Sequence, residues 1–175
     1  FGEYAFCTKV RSEQLRDVGA CLSPFNAFLL LQGLETLPLR MRAHVENARA
    51  VAAWLDADPR VAWVQYAGLA DSPHHDLAHK YLPDGPGAIF TFGVVGGREA
   101  GARFIGGLEM VSHLANVGDA RTLVIHPGST THRQLSDDEL ADAGVTPDMV
   151  RLSVGLEDLD DILYDLDRAL EAATR

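Results

Sequence analysis

The amino-acid sequence predicts an α+β fold in which a helical lead-in precedes a small sheet covered by helices. Three observations support this prediction. The run from Phe25 to Leu37 is apolar nearly all round, which is typical of a helix buried on several sides or lying at a subunit interface. Beyond Asp58-Pro59, short segments rich in β-branched and aromatic residues alternate with segments of helical period. The segment from Leu159 to Leu170 carries a single apolar stripe, which predicts an amphipathic last helix.

The lead-in contains clear signals for where its helices begin and end. Ser23 offers a side-chain oxygen to the free amides of a helix start, and Pro24 suits the first helical position. Pro38 should kink or break this helix, because proline lacks a backbone donor and clashes with the preceding turn. A second helix should keep its apolar period to Asp56 and end at Asp58-Pro59.

Local patterns also place the remaining elements. Ser136 and Glu139 match a capping box, which should start a short helix that ends near Gly144. Glu157 and Asp158 precede the last helix, where we expect their negative charge to stabilise its N-terminus. Further helices are expected through Leu77 and Tyr81 and from Arg98 to Leu108. Strands are expected at Val61 to Tyr66, Ala88 to Val95, Leu123 to Ile125 and Val150 to Val154.

The composition argues against several classes of partner. A formal net charge of -10 argues against nucleic acid, because phosphate binding needs a clustered basic surface. The longest uncharged stretch, Leu22 to Leu34, is too short to span a bilayer. Cys7 and Cys21 are too few for a disulfide framework, so we expect a reducing cytoplasm. The chain opens at Phe1 with neither Met nor a signal peptide, and we expect that it begins inside a longer protein.

Three groups of residues invite a chemical interpretation, and the sequence favours a structural one for each. His75 and His79 stand one helical turn apart, but no third ligand has a suitable spacing, so we expect no metal site. Cys7 and Cys21 lack an activating context, which favours ordinary thiols over nucleophiles. Ser129 to His132 place hydroxyls near an imidazole, but adjacency in sequence does not define a catalytic dyad, so we expect a loop.

Arg151 is the strongest candidate for a binding residue. It lies in a short strand whose Val150, Leu152 and Val154 face is apolar, so its guanidinium should project from the other face. From a rigid strand it could hold a carboxylate through two parallel hydrogen bonds. An arginine on an edge strand, paired with one of the nearby acids, fits the spacing equally well. The sequence pattern alone leaves both interpretations open.

Three long motifs in the chain resemble the C-terminal half of the cystathionine γ-synthase-like family of pyridoxal-phosphate (PLP) enzymes. They stand in the expected order at Gly33 to Met41, Gly118 to His132 and Val150 to Asp158. The resemblance extends from about Arg11 to Leu170, which is nearly the whole chain. Within the family, Ser23 to Phe28 and His113 to Asp119 look like the O-acetylhomoserine sulfhydrylase branch.

The resemblance implies the C-terminal part of a fold-type I PLP-dependent transferase, which is aspartate aminotransferase-like. Residues 1–57 would be a remnant of the large domain with connecting helices. Residues 58–175 would form the small α+β domain, with a mainly antiparallel sheet. Family members carry PLP on a lysine in a Ser-x-Thr-Lys context, whereas the only lysines here, Lys9 and Lys80, lack it. We therefore expect the cofactor-binding residues to precede this chain, and the chain alone to be inactive.

The resemblance also implies roles for two residues. Arg151 would bind the α-carboxylate of an amino-acid substrate, and Asn116 would help to position the same group. The expected reaction of the complete, homotetrameric enzyme converts O-acetyl-L-homoserine and sulfide to homocysteine and acetate in methionine biosynthesis. A cystathionine γ-synthase or a methionine γ-lyase of the same family is the alternative enzyme. A non-catalytic α+β binding module is the alternative of a different class.

Overall fold

The computed structural model describes residues 2–174, apart from the side chain of Asp137. These residues divide into two compact units, of which one extends to Pro38 and the other begins at Leu39. The first unit consists of a 3-10 turn at Gly2–Tyr4, helix α1 at Ala5–Lys9, a π-helical segment at Val10–Val18 and helix α2 at Pro24–Glu35. The sequence patterns indicated α2 but not the helical segments before it.

Helix α2 begins and ends where its residues predict. The Ser23 hydroxyl accepts a hydrogen bond from the Asn26 amide at 3.1 Å, and Pro24 occupies the first helical position. The helix ends at Glu35, and helix α3 begins at Leu37 with Pro38 in its first turn. The predicted break at Pro38 is therefore confirmed, because a proline is tolerated in a first turn but not in a helix interior.

Helix α3 spans Leu37–Asp56 and contributes to the core of the second unit. Its apolar positions recur at helical spacing, so they lie on one face of the helix. That face is buried at Val45, Ala48, Val51, Ala52 and Leu55. Leu39, which continues the same period, is 60% exposed and marks where this face leaves the core.

A five-stranded sheet forms the centre of the second unit, with the strand order β1-β2-β5-β4-β3. The strands are β1 at Val61–Gln65, β2 at Ile89–Val94, β3 at Ser112–His113, β4 at Leu123–Ile125 and β5 at Met149–Ser153. Only the short β3–β4 pair is parallel, so the expected mainly antiparallel sheet is confirmed. β5 lies in the middle and pairs with β2 on one side and β4 on the other.

Four further helices accompany this sheet. They are α4 at His75–Tyr81, α5 at Gly97–Gly107, α6 at Asp137–Asp142 and α7 at Leu159–Thr174, and α5 and α7 share the main core with α3. Phe92 of β2 meets Phe104 of α5 edge to face, with ring centroids 5.5 Å apart. Leu166 and Leu170 of α7 are fully buried, and each such burial stabilises the fold by about 1.5–3 kcal/mol.

A buried carboxylate fixes α7 against the segment after α5. Asp165 is 4% exposed and accepts hydrogen bonds from the backbone amides of Glu109, Met110 and Val111. Burial by itself would raise the pKa of this carboxyl, but the three amides and the Arg168 guanidinium together hold the pKa below its ordinary value. Asp165 therefore remains ionised, and it satisfies backbone donors that would otherwise be buried without partners.

None of the helices in residues 2–174 combines the length and apolar character needed to cross a membrane.

Candidate functional site

Arg151 projects from the middle of the central strand. Its neighbours in the strand, Val150 and Leu152, are fully buried in the main core, so Arg151 points to the opposite face of the sheet. Thr91 of β2 and Ile125 of β4 pair directly with it and share that face. The predicted orientation of Arg151 is confirmed, and the interpretation as an edge-strand arginine is wrong because β5 has a partner on each side.

The guanidinium of Arg151 reaches the loop of residues 114–122 between β3 and β4, which we call the anchor loop. Nη2 of Arg151 donates a hydrogen bond to the backbone carbonyl of Asn116 at 3.2 Å. No Asp or Glu carboxylate forms an ion pair with Arg151 among the side chains that the structure describes. Arginine has five N–H donors in a planar fork, so donors remain available for an anion.

Asn116 stands beside this cation on the exposed anchor loop. Its side-chain Oδ1 accepts a hydrogen bond from the backbone amide of Val117 at 2.9 Å, which turns the chain at this point. Gly118 follows with φ +72°, a left-handed conformation that favours glycine. The turn places the Asn116 carbonyl toward Arg151. The structure thus brings together the two residues that the sequence singles out, although they lie 35 positions apart in the chain.

A second connection joins the far end of the anchor loop to the segment after β5. Glu157 accepts hydrogen bonds from the backbone amide of Thr122 at 2.6 Å and from its hydroxyl at 2.7 Å. The same hydroxyl accepts a hydrogen bond from the Gly155 amide at 2.9 Å. We call this arrangement of Glu157, Thr122 and Gly155 the clasp. The sequence pattern predicted only that Glu157 stabilises the N-terminus of the last helix, and it did not indicate these bonds to Thr122.

The clasp requires a glycine at position 155. A Cβ atom there would lie 2.5 Å from the Ala120 carbonyl oxygen and would also collide with the Thr122 amide and the Glu157 carboxylate. A Cβ atom cannot lie this close to an oxygen atom, so a side chain at position 155 would displace the backbone. The amide of Leu156 donates to the same Ala120 carbonyl at 2.8 Å. The two segments therefore lie against each other at backbone distance.

Two cavities flank the anchor loop. One, of about 450 Å³, is lined by Leu114 and Ala115, which directly precede Asn116, and by Ser129 and Thr130. The other, of about 240 Å³, is lined by Val117 and Gly118, which directly follow Asn116. Both are mainly apolar hollows at the loop whose Asn116 carbonyl accepts the hydrogen bond from Arg151. This combination suits an organic anion with a short carbon chain.

The serine and histidine residues near the larger cavity form structural hydrogen bonds. His126 is 1% exposed, and its Nε2 donates to the Pro147 carbonyl at 2.8 Å. Because Nε2 carries this proton, Nδ1 of a neutral ring accepts from the Ser129 hydroxyl at 2.9 Å. Thr130 and Thr131 bond to a backbone carbonyl and to His132, in keeping with the expected loop. No local sequence signal predicted that His126 would form these bonds.

The other candidate groups have ordinary surface environments. His75 forms a 3.7 Å pair with Asp76 on the surface, and Cys7 and Cys21 are exposed free thiols. Within residues 2–174, no cluster of three His, Cys, Asp or Glu side chains could hold a metal ion. Lys9 pairs with Glu13 at 3.1 Å, and the ammonium of Lys80 lies 4.9 Å from the ring centre of Tyr81.

Comparison with known proteins identifies related sequences and folds. The family model described as Cys/Met metabolism PLP-dependent enzyme matches residues 4–171. An O-acetyl-L-homoserine sulfhydrylase of Thermus thermophilus is 58% identical over 97% of this chain and 40% of its own length. The chain thus spans about two-fifths of that relative.

Two solved structures share the fold. A crystal structure described as an O-acetylhomoserine (thiol)-lyase of Campylobacter jejuni has a TM-score of 0.87 and 41% identity, and the match covers 98% of this chain and 41% of that one. That protein contains N'-pyridoxyl-lysine-5'-monophosphate. A cystathionine γ-synthase of Xanthomonas oryzae in complex with cystathionine has a TM-score of 0.80 and 39% identity, over 89% of this chain and 40% of that one. These likenesses confirm the expected fold class.

The residues present here do not provide a covalent site for PLP. Lys9 and Lys80 are engaged with surface partners in the described structure. The site around Arg151 instead offers a cation, a backbone carbonyl and two apolar cavities.

Proposed function

Because this chain belongs to the Cys/Met metabolism PLP-dependent enzyme family, we propose that it is the C-terminal portion of an O-acetylhomoserine sulfhydrylase. The complete enzyme converts O-acetyl-L-homoserine and sulfide to homocysteine and acetate. The identity to the Thermus thermophilus sulfhydrylase, 58%, supports this activity over that of the Xanthomonas oryzae γ-synthase, which is 39% identical. The observation that carries the proposal within the chain itself is a central-strand arginine with no carboxylate partner in the described residues.

Arg151 binds the α-carboxylate of the amino-acid substrate in this proposal. Its planar fork matches a carboxylate through two parallel hydrogen bonds, and its strand is held on both sides by hydrogen-bonded neighbours. A rigid support matters because the carboxylate fixes the direction of the Cα–H bond in the bound amino acid. Arg151 thereby orients the reacting centre as well as contributing binding free energy.

Asn116 completes the carboxylate site. Its carbonyl accepts a hydrogen bond from the Arg151 Nη2 atom and so helps to direct the guanidinium. Its side-chain amide group stands on the exposed loop beside the cation, where its N–H donors suit a carboxylate oxygen. Cation and amide together would bind the carboxylate from two sides.

PLP supplies the electron sink for the bond changes at the substrate when it is bound to the complete enzyme. The lysine that holds it lies outside the matched motifs of this chain, so the chain alone should be inactive. In this proposal residues 1–57 belong to the large domain and its connecting helices, and residues 58–175 form the small domain. α3 then acts as the connecting helix, because its apolar face packs into the small-domain core. A homotetrameric assembly and a cytoplasmic location belong to the same proposal.

Substrate profiling of the complete enzyme tests the activity. We expect O-acetyl-L-homoserine with sulfide to give homocysteine and acetate with a higher kcat/KM than the same ester with L-cysteine. Preferred formation of cystathionine from L-cysteine would instead identify a γ-synthase, in agreement with the Xanthomonas oryzae likeness. Release of methanethiol from L-methionine as the main reaction would identify a γ-lyase. Either result would refute the sulfhydrylase proposal.

A further inference from the structure

We propose that Glu157 is a positioning residue for the substrate carboxylate and that it acts through Thr122 on the anchor loop. This inference rests on the proposed function, since it concerns the carboxylate site of Arg151 and Asn116. In the described structure, Glu157 forms no hydrogen bond with either of these residues. Its influence must therefore pass along the chain.

The geometry forms a closed ring of two chain segments. One segment runs from Arg151 to Glu157, and the other runs from Asn116 to Thr122. They are joined at one end by the hydrogen bond from Arg151 to the Asn116 carbonyl and at the other by the clasp. Directly after Thr122, Leu123 pairs with Ser153 in the sheet. Opening the clasp would leave the anchor loop held by the bond from the Leu156 amide to the Ala120 carbonyl and by the bond from Arg151 that the carboxylate site itself needs.

Helix α3 fixes the Glu157 side of the ring. Nδ1 of His44 donates to the Val154 carbonyl at 2.8 Å. The side-chain amide of Asn47 donates to the carbonyls of Gly155 and Glu157 at 3.2 and 3.0 Å. Because three hydrogen bonds from two side chains, about one helical turn apart, hold this segment to α3, Glu157 offers a fixed point to a loop that is otherwise exposed. The loop gains its order from this point.

The chemistry of the clasp explains why a carboxylate stands there. Thr122 is fully buried, and its amide and hydroxyl both donate to Glu157. A charged acceptor binds two donors more strongly than a neutral one, at roughly twice the strength per bond. The hydroxyl uses its proton for Glu157 and a lone pair for the Gly155 amide. The Thr122 amide, the Thr122 hydroxyl and the Gly155 amide therefore all have hydrogen-bond partners. This requires a carboxylate at position 157, a hydroxyl at position 122 and the close backbone approach that Gly155 permits.

Variants of the complete enzyme test this role. Glu157→Ala and Thr122→Val should raise the KM for O-acetyl-L-homoserine by about 10- to 100-fold, since displacing a bound group by about 1 Å can cost that much. The KM for sulfide should stay unchanged, because sulfide has no carboxylate. Thr122→Ser keeps the hydroxyl and should restore a KM close to that of the unaltered enzyme. Phe104→Leu, in the core of α5, provides a control that lowers stability without touching the clasp.

Amide hydrogen exchange supplies a measurement that does not depend on the reaction. The amides of Val117 and Arg121 bond within the anchor loop, to Asn116 and Asp119, and not to Glu157. Both should exchange about tenfold faster or more in Glu157→Ala and Thr122→Val, and at the normal rate in Thr122→Ser. Phe104→Leu should leave them nearly unchanged relative to the rest of the protein.

The outcomes separate this inference from the proposed function. Unchanged exchange at Val117 and Arg121 overturns the inference whatever the enzyme's substrate. Faster exchange with an unchanged KM for the amino acid also overturns it, because the clasp is then structural only. If the unaltered enzyme does not use O-acetyl-L-homoserine, the sulfhydrylase proposal fails. The exchange rates, together with the KM for whichever amino acid is used, still decide the role of Glu157.

Discussion

Replacing Arg151 with alanine in the complete enzyme should damage the use of the amino-acid substrate much more than it damages stability. In the described structure the guanidinium donates to the Asn116 carbonyl at 3.2 Å and forms no ion pair. Loss of one such hydrogen bond at a partly exposed site should cost about 0.5–1.5 kcal/mol of folding free energy. Loss of a bidentate charged contact to a carboxylate should cost roughly 2–4 kcal/mol in the transition state, or about 30- to 1000-fold in kcat/KM.

The assay measures kcat/KM for O-acetyl-L-homoserine and the melting temperature on the same variants. Arg151→Lys should recover only part of the activity, because an ammonium cannot reproduce the planar fork of a guanidinium. Arg121→Ala removes an exposed positive charge from the same loop and controls for the general loss of charge. PLP binding should be equal in all three variants, since Arg151 does not contact the cofactor in the proposed arrangement.

Two patterns of results would refute this reasoning. If Arg151→Ala has near-normal kinetics and a clearly lowered melting temperature, the arginine supports the fold and does not bind the carboxylate. Equal losses in Arg151→Ala and Arg121→Ala would be as damaging, because the effect would then be one of overall charge.

The remaining predictions concern the chain by itself. It should show no PLP absorbance above about 400 nm, where protein-bound Schiff bases of this cofactor absorb, and no borohydride-reducible adduct at Lys9 or Lys80; a stoichiometric adduct on either would contradict the proposed truncation. The apolar surface of α2, where Phe25 is 68% and Leu31 61% exposed, should be covered by the rest of the enzyme or by another chain, so the isolated chain should self-associate in sedimentation, and a clean monomer would count against this. Asp165→Asn should lower the free energy of unfolding by about 2–4 kcal/mol, because an amide cannot accept as its carboxylate does, whereas the exposed Glu46→Gln should be nearly neutral in the same denaturation experiment. The folded-state pKa of Asp165 lies below its ordinary value of 3.8, so its contribution is present above that pH and should be lost as the pH falls below it, with less acid loss in Asp165→Asn.

The sequence predicted the elements that depend on neighbouring residues. Ser23 and Ser136 both cap helices through their hydroxyls, and the capping box at Ser136 and Glu139 is present as expected. Val150 and Leu152 lie in the core, as the alternation of β5 requires. These signals act over two to four residues, so one sequence is enough to read them.

The features that the sequence did not predict depend on distant residues. β3 consists only of Ser112–His113, which is too short for any periodic pattern. Glu157 and Thr122 lie 35 positions apart, and Asp165 lies 54 positions from the amide of Val111. Each is a carboxylate near a helix, for which a local pattern suggests only interaction with the helix dipole. The available signal was that Thr122 lies in one motif and Glu157 in another. A motif does not indicate which of its residues form hydrogen bonds with each other.

Arg151 and Asn116 are held in the site by different parts of the structure. Arg151 stands on the middle strand of a sheet whose core side is fully packed, so its position is set by the fold as a whole. Asn116 stands on an exposed loop, and its position is set by the clasp and by Arg151 itself. Core substitutions should therefore lower stability while both groups keep their relative arrangement. Clasp substitutions should change the arrangement while the core remains intact, because the loop can move without unpacking the sheet. The proposed carboxylate site, built from one rigid and one adjustable part, could thus vary in affinity without a change of fold.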